Sequence, residues 1–204
     1  MENQTLETVA DITQNPEQRY RNFISDLRLN SVKLDTNINE WFEKRNREEL
    51  DACLLQLTTG IEGIVGLHPD ITMDDVRNMQ DEKRERNGGF DKMLVLDEDR
   101  DGREHPDLPK LIRDRVPEHM DLEKVQYKIR KATGREMPEL LAKKLREELS
   151  ELTRTTDDSK LEDELVDMLE VVDRMHREIE LSPMGYGRGT GFRGLWRFLT
   201  YRQR

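Results

Sequence analysis

Four acids in the second half of the chain have types and spacings that could do chemistry: Glu148 with Glu151, and Glu164 with Asp167. Each pair is spaced i,i+3, so on a helix its two carboxylates share one face. Leu141, Leu145, Leu149 and Leu152 define the apolar stripe of the first helix. Glu148 lies about 55° from the centre of that stripe and Glu151 about 115°. On the second helix the stripe is Leu161, Leu165, Met168, Leu169 and Val172. Glu164 lies about 60° from its centre and Asp167 about 125°, on the same rotational side. An antiparallel pair would therefore aim all four carboxylates into one groove. Glu151 and Glu164 are equidistant from the middle of the segment, and so are Glu148 and Asp167, which stacks them as two rungs. Repulsion in such a patch raises pKa values or splays the helices unless a cation is present. Mg²⁺ suits an oxygen-only site that leaves room for phosphate oxygens, with Mn²⁺ as a second fit. The plain alternative is a solvated acidic face in a highly charged chain; the matched angles and levels argue against it. Glu147, Glu162, Asp163 and Glu170 fall at other angles and read as solvated.

The elements that must position these acids are helical. Long helices are predicted over about Pro138–Leu152 and Leu161–Glu180, joined by "TRTTDDSK". Upstream, residues from about 15 to 85 read as helices joined by short turns, with Tyr20, Phe23, Ile24, Leu27, Leu34, Ile38 and Trp41 at mixed spacings of three and four. Another helix runs to about Leu67. Thr72 followed by Asp75 forms a variant capping box for a helix that should stop at Gly88–Gly89. "FDKMLVLDED" reads as a short strand. "DEDRDGREHPDLP" is the best linker, and "KLIRDRVPE" is an apolar-basic entry segment ended by Pro117. The tail from Ser182 holds five Arg, no acid and a run of glycines.

Composition narrows the class. Hydrophobic residues are 34% and charged residues 38%, so the core must be built from amphipathic elements. Aromatics are 5% and long alternating Val/Ile/Thr runs are missing, which favours helices over a β-sandwich. A net charge of −10 argues against binding nucleic acid or anionic membrane through the whole surface. The single cysteine, Cys53, excludes an intrachain disulfide framework and reads as a small core residue. No apolar run approaches the roughly 20 residues of a membrane span, and no secretory signal is visible, so a cytoplasmic setting is expected.

"EELSE" followed by "EDELVD" resembles the E-x-x-E … E-x-x-D pattern of the all-α nucleoside triphosphate pyrophosphohydrolases, the MazG-like and phosphoribosyl-ATP pyrophosphohydrolase-like superfamily. "KLIRDRVPE" resembles the K-L-V-R-D-R-I-P-E entry segment of one branch and is the more distinctive signal. The resemblance implies Glu148, Glu151, Glu164 and Asp167 as Mg²⁺ ligands, and hydrolysis between the α- and β-phosphates of a nucleotide. A third element, K-x-x-x-R-G-G-F, normally follows the ligand helices. Here "KRERNGGF", Lys83 to Phe90, precedes them, with Asn87 in place of Arg. Circular permutation and an eroded tandem repeat both explain this order. The repeat is favoured, because Asn37-x-x-Glu40 and Glu48-x-x-Asp51 again form i,i+3 pairs around a turn, with three carboxylates kept and one lost to Asn37, and "GRGTGF" looks like a remnant of the third element.

The expected fold is thus an all-α antiparallel bundle of two helical-hairpin repeats with minor short strands. Residues 1–96 would form a degenerate repeat, 97–109 a linker, 110–181 the intact repeat and 182–204 a tail. Family members dimerise to bury the hairpin; here one chain could supply both pairs as an intrachain pseudo-dimer, or a homo-oligomer could. Glu148 or Glu151 is the candidate general base. Lys83, Arg86, Lys110, Arg113 and Arg115 are the candidate phosphate contacts, with surface ion pairing as the alternative for each. Beside a Mg²⁺-dependent nucleoside triphosphate pyrophosphohydrolase stand two other readings. One is a weakened relative that binds nucleotides or partners. The other is an interaction protein whose Arg/aromatic tail, with Phe192, Trp196, Phe198 and Tyr201, holds RNA or protein.

Overall fold

A computed structural model describes residues 15–44, 47–99, 108–119, 127–134, 136–155 and 158–181. The expectations for the tail and for most of the linker lie outside these residues. In chain order the elements are α1 (Pro16–Lys44), α2 (Glu48–Val65), α3 (Met73–Asn87), β1 (Leu94–Asp99), β2 (Lys110–Ile112), α4 (Val116–His119), β3 (Tyr127–Lys131), α5 (Glu136–Leu152) and α6 (Asp158–Leu181). The protein is mostly helical, with a three-stranded antiparallel sheet in the order β2-β1-β3.

Two helical hairpins make the core. In the first, α1 lies on α2; in the second, α5 lies on α6; α1 then packs on α5 and α2 on α6. The apolar stripes meet in one continuous cluster that includes Leu27, Leu34 and Ile38 of α1, Leu54, Leu57 and Ile61 of α2, Leu141 and Leu145 of α5, and Leu165 and Leu169 of α6. Fully burying one such side chain contributes about 1.5–3 kcal/mol, and neither hairpin could do so alone. Gly60 permits the close approach of α1 to α2, because a Cβ there would stand 2.6 Å from Leu27 Cδ2. Cys53 is buried, donates to the Asn30 carbonyl at 3.2 Å, and has its thiol pushed up to about 11 by burial, as a core residue should.

The capping box is present. Asp75 N donates to Thr72 Oγ1 at 3.2 Å, and Thr72 N donates to Asp75 Oδ2 at 2.9 Å. The helix stops at Asn87 because Gly88 takes φ +76°. Two elements depart from expectation. Pro117 does not end the entry segment; it sits in the first turn of α4, where the missing N–H is not needed. β3 was not foreseen, since "YKIRK" has one aliphatic residue and its strand form comes from pairing with β1, with Leu96 opposite Ile129.

The halves of the chain interleave. α3 packs on α6, and β1 pairs with β2 as Val95 opposite Leu111. The Lys83–Phe90 element and the entry segment therefore meet beside the second hairpin.

Candidate carboxylate site

Glu148 from α5 and Glu164 and Asp167 from α6 each offer a carboxylate oxygen, and these atoms lie within 4.8 Å of one another. Glu148 is buried at 2% exposure, while Glu164 and Asp167 are half-buried. Glu151 is exposed and falls outside this group. The reason lies in the turn. α6 begins at Asp158 rather than Leu161, so the turn is centred earlier than the midpoint between Glu151 and Glu164. That offset breaks the matched levels and leaves Glu151 nearer the turn. It remains close enough to act electrostatically on both Glu148 and Glu164.

Burial, then the charges of Glu148, Glu151 and Asp167, push Glu164 up to about 7. Burial also raises Glu148; Asp167 and Glu151 add to that, and together they outweigh Lys144 beside it. Lys144 pairs with Glu148 and lies 3.0 Å from Glu147, which Lys110 also reaches at 2.6 Å. Burial opposes the Lys144 ammonium, yet Glu148 and Glu147 hold its pKa above the ordinary value. Glu147 is lowered because Lys110 and Lys144 outweigh its burial.

Two cations from separate segments close on Asp167. Lys83 of α3 lies 2.9 Å from Oδ2, and Arg113 of the entry segment 2.5 Å from Oδ1. Arg113 also donates to the Gly88 carbonyl at 3.1 Å and stands over the Phe90 ring, 5.3 Å from its centroid. Asp114 holds the segments together: its carboxylate accepts from Asp91 N at 2.9 Å and Lys92 N at 2.8 Å, and its own N–H donates to Gly89 O at 2.8 Å. Of the predicted basic contacts, Lys83 and Arg113 reach the carboxylates. Lys110 reaches Glu147, Arg115 is taken by Glu118 and the Glu85 carbonyl, and Arg86 is exposed.

Two participants, Lys144 and Glu170, have no role in the sequence reading, and Asp114 has only that of fixing the entry segment beside Arg113 and Arg115. Lys144 was legible as the i,i+4 partner of Glu148. Glu170, read as solvated, is fully buried. The single-stripe assumption failed on α6, which packs against α5, α2 and α3 at once. In the first hairpin the acids do not gather into a comparable group among the described residues. Asp51 instead pairs with Arg47 at 2.8 Å, and Asn37 donates to the Glu49 carbonyl at 3.3 Å.

The raised Glu164 carboxyl should contribute stability that is lost as pH rises. Glu164 is protonated in the folded state up to about 7 but ionises near 4.5 when unfolded, so its contribution is full below about 4.5 and lost as pH rises through about 7. Thermal midpoints of the wild type should fall over this window relative to Glu164→Gln. Parallel curves for the two proteins would contradict the assignment.

No helix among the described residues is long and apolar enough to cross a membrane. No family model, curated protein or solved structure matches the chain.

Proposed function

We propose that the protein is a Mg²⁺-dependent nucleoside triphosphate pyrophosphohydrolase that cleaves the α–β phosphoanhydride to give a nucleoside monophosphate and pyrophosphate. The observation that carries this reading is the convergence of Lys83 and Arg113, from two segments that resemble family elements, on Asp167 beside Glu148 and Glu164. Both cations reach one carboxylate from elements distant in sequence, which supports a built anionic site.

The donor set fits a hard divalent ion. It is all oxygen, it has no histidine or cysteine, and it combines one buried carboxylate with two half-buried ones. Glu148, Glu164 and Asp167 would hold Mg²⁺ or Mn²⁺. When bound, the ion supplies neutralisation of the phosphate charge and acidifies the attacking water. Lys83 and Arg113 sit where they can exchange a carboxylate for phosphate oxygens, and the planar Arg113 guanidinium suits two of them. Glu151, outside the three-oxygen group, is the carboxylate left to accept a proton from water, with Glu148 second.

The arrangement also bears on the order of the motifs. The NGGF element serves the α5–α6 carboxylates rather than the Asn37–Asp51 hairpin. That supports circular permutation for residues 73–181, with α1–α2 as the second helical pair of an intrachain pseudo-dimer. A direct test compares variants with pyrophosphate as the readout. Glu148→Ala should abolish turnover, whereas Glu40→Ala and Asp51→Ala should leave it near the wild-type rate. Equal loss in all three would mean that both hairpins carry sites.

A further inference from the structure

We propose that Glu170 is a positioning residue of the carboxylate site: it holds α3 against α6 and so sets Lys83 on Asp167. α3 has a short apolar hold on the bundle, with Val76 buried and Met73 and Met79 half-buried against the core. Beside it runs a polar ladder along α6. Arg77 lies 3.8 Å from Asp173, and Gln80 Nε2 donates to Asp173 at 3.0 Å and to Glu170 at 2.9 Å. Arg84 pairs with Glu170 at 2.8 Å, and the last rung is Lys83 on Asp167. Glu170 is the centre of the ladder and is fully buried. Its Oε1 accepts no hydrogen bond among the described residues and lies where a Cβ on Gly89 would stand 3.1 Å away. Arg177 approaches the same oxygen at 3.8 Å. A buried carboxylate is held in place by such partners and is costly to strand, so it fixes its neighbours more firmly than an exposed pair could.

Glu170 touches none of the three clustered carboxylates by hydrogen bond or ion pair; it acts through α3. Gln80 and Arg84 flank Lys83 on one helix, and holding them fixes the rotation of that helix. Lys83 then faces Asp163 and Asp167 with its side chain 14% exposed. The consequence for turnover rests on the pyrophosphohydrolase reading. The placement of Lys83 does not.

Lysine acetylation read by peptide mass spectrometry tests the placement without any ligand. Lys144, on α5 and 15% exposed, is the internal reference. Glu170→Ala should raise the labelling rate of Lys83 severalfold relative to Lys144, and Glu170→Gln, which keeps an acceptor for Gln80, should raise it less. Unchanged Lys83 labelling in a folded Glu170→Ala protein overturns the proposal, and so does an equal rise at both lysines, which reports general loosening. Should Glu170→Ala fail to fold, Gln80→Ala and Arg84→Ala break the same ladder from its α3 side and must produce the same Lys83-specific rise. Mn²⁺ titration by electron paramagnetic resonance gives a second readout. Lys83→Ala should tighten Mn²⁺ binding by removing a competing cation, Glu170→Ala should tighten it as much, and the double variant no further. Additive effects overturn the proposal. The labelling result decides the placement of Lys83 even where Mn²⁺ fails to bind, so failure here and failure of the functional reading are distinguishable.

Discussion

Asp167→Asn is expected to cut pyrophosphate release by at least about 10²-fold, in line with the loss of one preorganised electrostatic group from an active site. Asp167 is the carboxylate that joins the three-oxygen group to both cations. Lys83 and Arg113 meet different oxygens of Asp167, so Asn keeps an acceptor for one of them while its NH2 faces the other; the shape is kept, but the charge that holds a divalent ion is gone. Asp167→Ala goes further. It leaves Lys83 and Arg113, 14% and 11% exposed, without their shared partner. Lys83 keeps Asp163 and Arg113 keeps the Gly88 carbonyl, so the loss is partial, but the Ala variant should still unfold at lower denaturant. Initial rates and urea midpoints for the two variants separate the effects. A folded Asp167→Asn protein that turns over at the wild-type rate would remove Asp167 from the site.

The largest stability effect should come from Gly88→Ala. Gly88 has φ +76° and ψ 170°, a region that is essentially glycine-only and costs about 1–3 kcal/mol for other residues. The new methyl group would also stand 2.8 Å from Asp114 Cβ and 2.9 Å from Arg115 N. Neither neighbour yields freely. Asp114 is clamped to residues 89, 91 and 92, and Arg115 N donates to Asn87 O at 2.9 Å. Overpacking of this kind adds about 1–3 kcal/mol, so a total loss of about 2–6 kcal/mol is expected. Because the same contact seats Arg113, turnover should fall with stability. Gly134→Ala is the control, since a Cβ there meets nothing within 4 Å. Equal urea midpoints for the two variants would contradict the account of the turn.

The parts of this arrangement that were legible in sequence are those set by local period. Helical spacing placed Glu148, Glu164 and Asp167 on facing flanks, and the Thr72–Asp75 box and Gly88 marked the ends of α3. What escaped depends on more than one element. Glu151 dropped out of the group because the start of α6 could not be fixed from a polar turn. Glu170 looked solvated because one stripe per helix was assumed, and α3 supplies a further buried face. β3 exists through its pairing with β1, which its own residues do not announce. The meeting of Lys83 with Arg113 is likewise tertiary. The motifs named both residues, but only the antiparallel pairing of β1 with β2 and the packing of α3 on α6 bring them to one carboxylate.

The most direct measurement incubates the full chain with a panel of nucleoside and deoxynucleoside triphosphates, with Mg²⁺ or with chelator, and separates the products. The account predicts nucleoside monophosphate and pyrophosphate in equal amounts with Mg²⁺, and neither with chelator nor with Asp167→Asn. An inert protein across the panel would contradict it, as would release of nucleoside diphosphate and orthophosphate.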